Sequence, residues 1–184
     1  MNSNIFLKNR SYRSFTDKSL NKSDLLKMIE NARVSASARN SQSVRFALVD
    51  SKDLCDKIFP LTKWAGSIAW NPSKEEAPHA YIALCIPNDV PVNKCLLYFD
   101  MGIILLTAVD MGYGGCIIGS FNKQSVQEVL NIPQNYDCEV LIALGEPAEI
   151  STVVDAVNGD IKYYRDEENK HQYVPKLPLN ELIF

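Results

Sequence analysis

The sequence predicts a layered domain of the α/β or α+β class whose sheet is covered on both faces. Helical and strand-like segments interleave through the body of the chain, with no internal repeat, low-complexity tract or linker between them. The run AYIALCI, between Pro78 and Pro87, is apolar without alternation, as a strand buried on both sides should be. The segment KCLLYFDMGIILLTAVDMG is apolar around most of a helical circumference, with Asp100, Thr107 and Asp110 confined to one arc. Such a helix has to be buried by the fold or by a partner subunit.

The elements follow in order. SDLLKMIENA places Leu25, Ile29 and Ala32 on one helical face, with Ser23 as the expected cap. The polar SASARNSQS is a loop, and RFALVD reads as a short strand with Phe46 and Leu48 on one side. A short helix over residues 53–58 precedes PLTKWAGSIAWNPSKEEAP, an irregular excursion rich in breakers that holds Trp64 and Trp70. After AYIALCI and the long apolar helix, Gly112 is placed to end that helix in the left-handed conformation. GCIIGSF is a second apolar run. QSVQEVLNI puts Val126, Val129 and Leu130 on one helical face before Pro133, and CEVLIALGEP reads as the last buried strand. Residues 160–184, charged and punctuated by proline, read as a C-terminal arm on a single domain spanning 1–184.

Composition narrows the function. With a net charge of −3 and 22% charged residues, the chain carries no global signature of a polyanion partner, so nucleic acid is not expected as the main ligand. MNSNIFLKNRSYRSF has no apolar core of signal-peptide length, and the apolar run after Cys95 is broken by Asp100 and Asp110, short of the ~20 residues a spanning helix needs. The expectation is a cytoplasmic protein that does not enter membranes. Five cysteines without a CxxC pair, and two histidines, argue against a disulfide framework or a metal site. Cys85, Cys116 and Cys138 lie in or beside apolar runs and read as buried thiols with no catalytic role.

Four segments carry the candidate chemistry. In NRSYRSF, Arg10 and Arg13 present guanidinium forks that pair with phosphate in two-pronged geometry, and Ser11 offers a hydroxyl to a further oxygen. By itself an RSxR segment reads more readily as a solvated basic terminus. The loop SARNSQ supplies Ser37, Asn40, Ser41 and Gln42, which can hydrogen-bond the polar edge of a planar heterocycle or simply connect two elements. MGYGGCIIGS contains no GxGxxG or GK[ST], and its glycines follow a helix and precede a strand, which excludes a Rossmann or P-loop phosphate site. Gly119 before Ser120 could let backbone N–H groups approach a flat ligand, although a plain turn fits as well. Lys176, between two prolines, is a cation on a stiff segment.

The order of these segments is more informative than any one of them. NRSYRSF, SASARNSQSVRF, FDMGIILLTAVDMGYGGCIIGSF, LIALGEP and VPKLPLNELI together resemble the flavin-dependent nitroreductase family over nearly the whole chain, most specifically in the middle segment. The resemblance implies an α+β fold, a three-layer α/β/α sandwich, assembled as an intertwined homodimer with FMN at the interface. It implies Arg10, Ser11, Arg13 and Lys176 around the flavin phosphate, Ser37, Asn40 and Gln42 on the polar loop, and the backbone of Gly119 and Ser120 facing the ring near N5. Arg33, on the first helix, falls outside this set. The implied activity is transfer of electrons from NADH or NADPH to a small electron-poor acceptor of the nitroaromatic or quinone type by a ping-pong cycle, with no side-chain catalyst. A non-catalytic flavin-binding dimer and a specialised reaction such as reductive dehalogenation are the alternatives. The chain departs from the family pattern at Asn9, where an arginine is usual, at Ala36, where proline is common, and at Ser43 and Val44, where a proline–tryptophan pair often stands.

Overall fold

In the computed structural model, which describes residues 5–89 and 94–184, alternation along two central strands divides the core in two. Strand β2 (Ala80–Pro87) sends Ala80, Ile82, Leu84 and Ile86 to one apolar cluster and Tyr81, Ala83 and Cys85 to the other. It lies inside a four-stranded antiparallel sheet of order β1-β2-β4-β3, with β1 Arg45–Val49, β3 Gly114–Ile118 and β4 Tyr136–Gly145. Both faces of β2 are therefore dry, which is why it reads as an unbroken apolar run. Between Leu84↔Val140 and Cys85↔Cys138 the register skips Glu139. That bulge moves Cys138 to the opposite face from the one a strict two-residue period would give it.

Helices α2 (Lys22–Val34) and α4 (Lys94–Asp110) supply the first cluster through Leu25, Met28 and Ala32 and through Leu97, Met101, Ile104, Leu105 and Ala108. Helices α3 (Lys52–Ile58) and α5 (Lys123–Val129) supply the second through Cys55, Ile58 and Val126, joined by Phe15 and Trp64. Before these, the single turn of helix α1 (Ile5–Lys8) buries nothing. Where α2 meets α4, Asn31 donates to the buried Thr107 hydroxyl at 3.1 Å, so one member of the polar arc on α4 is paired inside the fold. Gly112 takes φ +86° after α4, as a left-handed stop requires. Even so, Tyr98 and Phe99 on α4 remain 67% and 46% exposed, so part of that helix is not covered by this chain.

Two expectations need correction. Ser23 lies inside α2; the helix starts after Asn21, whose side chain makes no cap bond. The strand CEVLIALGEP is also not the last. Beyond it β5 (Ile150–Asp155), β6 (Tyr164–Asp166) and β7 (His171–Lys176) form a second sheet of order β5-β7-β6, so the segment read as an arm contains two strands. β5 and β7 run parallel and β6 runs antiparallel to β7.

Cys55, Cys85, Cys116 and Cys138 are buried free thiols, and the Cys95 side chain lies outside the described residues. Burial pushes the Cys55 thiol up to about 12 and raises Cys116 as well, which keeps both protonated and unreactive. Among the described residues no helix is long and apolar enough to cross a membrane, and no group of three or more His, Cys, Asp or Glu could hold a metal ion.

Candidate functional site

The basic segment is held in place by its backbone. Ser11 pairs with Gly115 at the free edge of β3, and the Tyr12 N–H donates to the Gly115 carbonyl at 3.0 Å. Three residues on, the Phe15 N–H donates to the Glu76 carbonyl at 3.1 Å, and Phe15 is buried in the second cluster. Around these fixed points Arg10, Ser11 and Arg13 line a cavity of about 290 Å³ together with Asn9, Tyr163, Val174 and Lys176. Lys176 is the last residue of β7, so the second sheet brings it to residues more than a hundred positions earlier.

The electrostatics of this cavity are one-sided. Among the described residues neither arginine nor Lys176 forms an ion pair, while eight other cation–carboxylate pairs occur elsewhere. Arg10 gives one N–H to the Phe6 carbonyl at 3.0 Å, and its buried Nε has no partner. Arg13 donates to the Ser11 carbonyl at 3.3 Å and lies 5.0 Å over the Tyr163 ring. Three cations with spare donors lining one cavity suit a compact anion by charge and geometry. Asn9, in the same wall, adds no charge.

The polar loop lies elsewhere. Ser37 and Gln42 line a second cavity of about 360 Å³ with Arg33, Ser43, Arg45, Phe46 and Asp100, at the β1 edge of the sheet. Arg33, set apart from the site by its position in the sequence, thus belongs to the same wall, although Glu30 already engages its guanidinium through two bonds of 2.6 Å. Asn40 is exposed and does not line that cavity. Arg39, Asn40 and Gln42 have φ of 58°, 51° and 44°, three left-handed positions without glycine, interrupted only by Ser41, that cost energy to hold. The hydroxyls of Ser37 and Ser43 are buried without partners.

Gly119 and Ser120 follow β3, on the same edge as the basic segment. The Ser120 carbonyl accepts the Lys63 N–H at 2.9 Å, which ties this turn to the tryptophan-bearing excursion. Nothing lies within 4 Å of where a Cβ on Gly119 would sit, so the backbone there is open to close approach.

The chain's sequence matches the model of the nitroreductase family over residues 7–146. The chain belongs to the nitroreductase family. A protein of Archaeoglobus fulgidus provisionally named NADH dehydrogenase/NAD(P)H nitroreductase is 26% identical, with the match covering 76% of this chain and 82% of that protein. A nitroreductase family protein from Clostridium novyi NT is similar in structure with a TM-score of 0.65 at 28% identity, covering 78% of this chain and 84% of that one. An FMN-dependent nitroreductase from Clostridium difficile R20291 shares the fold at 21% identity and a TM-score of 0.69, covering 88% and 97%.

Residues beyond the family match complete the first cavity. Tyr163, Val174 and Lys176 all follow residue 146, as does Glu149, whose buried carboxylate accepts the Arg13 N–H at 2.5 Å and the Ser14 N–H at 3.3 Å. Only Lys176 was legible in advance. Glu149 sits in an ordinary polar stretch, and no local pattern marks it.

In the second cavity, burial pushes the Asp100 carboxyl up to about 6. Its native pKa therefore lies above its unfolded value of about 3.9. The native state binds the extra proton, and stability falls as pH rises from about 4 through about 6. Partial exposure screens the effect, leaving about 1 kcal/mol. Asp100→Asn should remove this pH dependence and raise stability at pH 7 by that amount; urea unfolding at pH 4.5 and 7 measures both.

Proposed function

We propose that the protein is an FMN-dependent oxidoreductase passing electrons from NADH or NADPH to a small electron-poor acceptor. The observation that carries this reading is the cavity where Arg10, Arg13 and Lys176 converge without a carboxylate partner. FMN carries a phosphate at one end and a flat apolar ring with a polar edge at the other. The residues present fit both ends: the orphaned Arg10 Nε, with the Arg13 fork, the Ser11 hydroxyl and Lys176, suits the phosphate, and the unpartnered hydroxyls of Ser37 and Ser43 suit the ring's polar edge, with Asn40 and Gln42 in the same loop. The open backbone at Gly119 and Ser120 suits close contact with the ring near N5.

The two groups lie at opposite edges of the four-stranded sheet. Three inter-strand spacings separate those edges, about 14 Å. A single chain therefore divides the ligands between two places, and a second copy can bring its polar loop to the first copy's cation cavity. The uncovered Tyr98 and Phe99, with Leu179, Leu182, Ile183 and Phe184 exposed at the C-terminus, are the surfaces an intertwined homodimer would bury. In that assembly the helices on the two faces of the sheet form the outer layers of a three-layer sandwich.

FMN, when bound, supplies the redox chemistry, centred on its N5. The chain's contribution is electrostatic and positional. Fixed cations hold the phosphate end, and backbone and amide donors at the ring edge favour the form in which negative charge develops there, each worth about 3 kcal/mol when well aimed. No side chain need act as nucleophile or acid.

Protein purified from flavin-sufficient cells is expected to be yellow and to bleach on addition of NADH or NADPH. A colourless protein that takes up no added FMN would rule out the cofactor. A yellow protein that neither nicotinamide reduces would be a flavin-binding dimer without this turnover.

A further inference from the structure

Glu149 and Arg165 form a buried ion pair, with side chains only 1% and 4% exposed. A pair so dry repays its desolvation only when its remaining hydrogen-bonding capacity is used. Glu149 uses it on the basic segment: one carboxylate oxygen accepts the N–H groups of both Arg13 and Ser14, and the other takes the Arg165 guanidinium. Arg165 in turn lies 4.0 Å over the Trp70 ring of the excursion. Its strand, β6, pairs with β7, which ends at Lys176. Tyr163, two residues before Arg165, carries Arg13 on its ring and accepts the Ser67 N–H at 3.1 Å. A single carboxylate thus joins the backbone that presents Arg13 to the sheet that presents Lys176.

We infer that Glu149 is a positioning residue of the anion cavity, fixing the Arg13 and Ser14 backbone so that the Arg13 guanidinium faces Lys176 across it. The inference rests on the reading of that cavity as the FMN phosphate site. Its distinctive part is the accepting oxygen rather than the ion pair. Replacing both members of a buried pair by groups of similar size can leave stability nearly unchanged, which allows the two contributions to be separated. In Glu149→Gln with Arg165→Met the charges go but a carbonyl oxygen remains for the two N–H groups. In Glu149→Leu with Arg165→Met the oxygen goes as well.

FMN and riboflavin, which lacks the phosphate, are titrated into each apoprotein by flavin fluorescence, with thermal unfolding alongside. Unaltered protein should prefer FMN. The Gln/Met variant should keep that preference within about threefold, whereas the Leu/Met variant should lose at least about tenfold of it with riboflavin affinity unchanged. Full retention of the preference by the Leu/Met variant overturns the inference. So does loss of FMN and riboflavin affinity in step with a lowered unfolding midpoint, which is what a merely structural role gives. If the unaltered protein binds both flavins equally, the phosphate reading itself falls and the inference with it, a result distinct from the other two.

Discussion

Arg13→Ala is expected to weaken FMN binding by about 2 to 3 kcal/mol, roughly 30- to 150-fold in Kd, because hydrogen bonds to a charged partner are worth about that much. The Arg13 guanidinium has no carboxylate partner in the free protein and gives one N–H to the Ser11 carbonyl, so its remaining donors are available to an anion. The loss should be confined to ligands that carry the phosphate. Riboflavin affinity should stay within about threefold, since the fork faces the cavity of the basic segment and not the loop at the far edge of the sheet. Stability should fall by less than about 1 kcal/mol, the usual worth of an exposed cation over an aromatic ring, here Tyr163. Lys57→Ala, which breaks an exposed pair with Asp53 on α3, is the matched control for removing one positive charge. Equal FMN affinity in the two variants, measured by fluorescence titration, would remove Arg13 from the site.

That prediction draws on a segment whose charge was legible and whose surroundings were not. The unbroken apolar run of β2 and the punctuation by Pro78 and Pro87 announced a doubly covered strand, because periodicity reports burial directly. The all-round apolar helix α4 was equally plain, and its exposed Tyr98 and Phe99 leave open the alternative that a partner covers it. Local signals failed where the partner is distant in sequence. Glu149 accepts from residues 136 and 135 positions away, and nothing in PAEI distinguishes it from a solvated carboxylate. β6 and β7 are three and six residues long, with tyrosine, charge and proline mixed, so neither period rises above the surrounding polarity. The polar loop shows a further limit. Its residue types suit hydrogen bonding to a heterocycle, but only the strand order places it across the sheet from the arginines. Sequence names ligands; topology decides whether one chain can unite them.

The packing beneath the basic segment is tight at Gly145, the last residue of β4, opposite Gly114. A Cβ on residue 145 would stand 2.4 Å from Phe15 Cδ1, 2.7 Å from its Cγ and 2.9 Å from its Cβ. Rotating the ring could relieve the first contact. It cannot relieve the last, because the Phe15 Cβ moves only with the backbone. That backbone is pinned by the Phe15 N–H to the Glu76 carbonyl at 3.1 Å, by the Thr16 N–H to the Glu146 carbonyl at 2.9 Å, and by the bridge to Pro147. Gly145→Ala must therefore shift either the sheet or the basic segment, and a loss of about 3 kcal/mol is expected, the upper end for overpacking a filled core. Because Arg13 is two residues from Phe15 and follows its backbone, FMN affinity should fall about tenfold in the same variant, with no change at any side chain that faces the ligand. Gly66→Ala is the comparison, since nothing lies within 4 Å of its added carbon, and it should stay within about 0.5 kcal/mol of the parent. Urea unfolding with an unchanged denaturant slope measures the first effect, and flavin titration the second. A Gly145→Ala protein that loses less than about 1 kcal/mol would show that the segment slides freely over β4, and a segment that slides cannot hold its arginines in a fixed phosphate geometry.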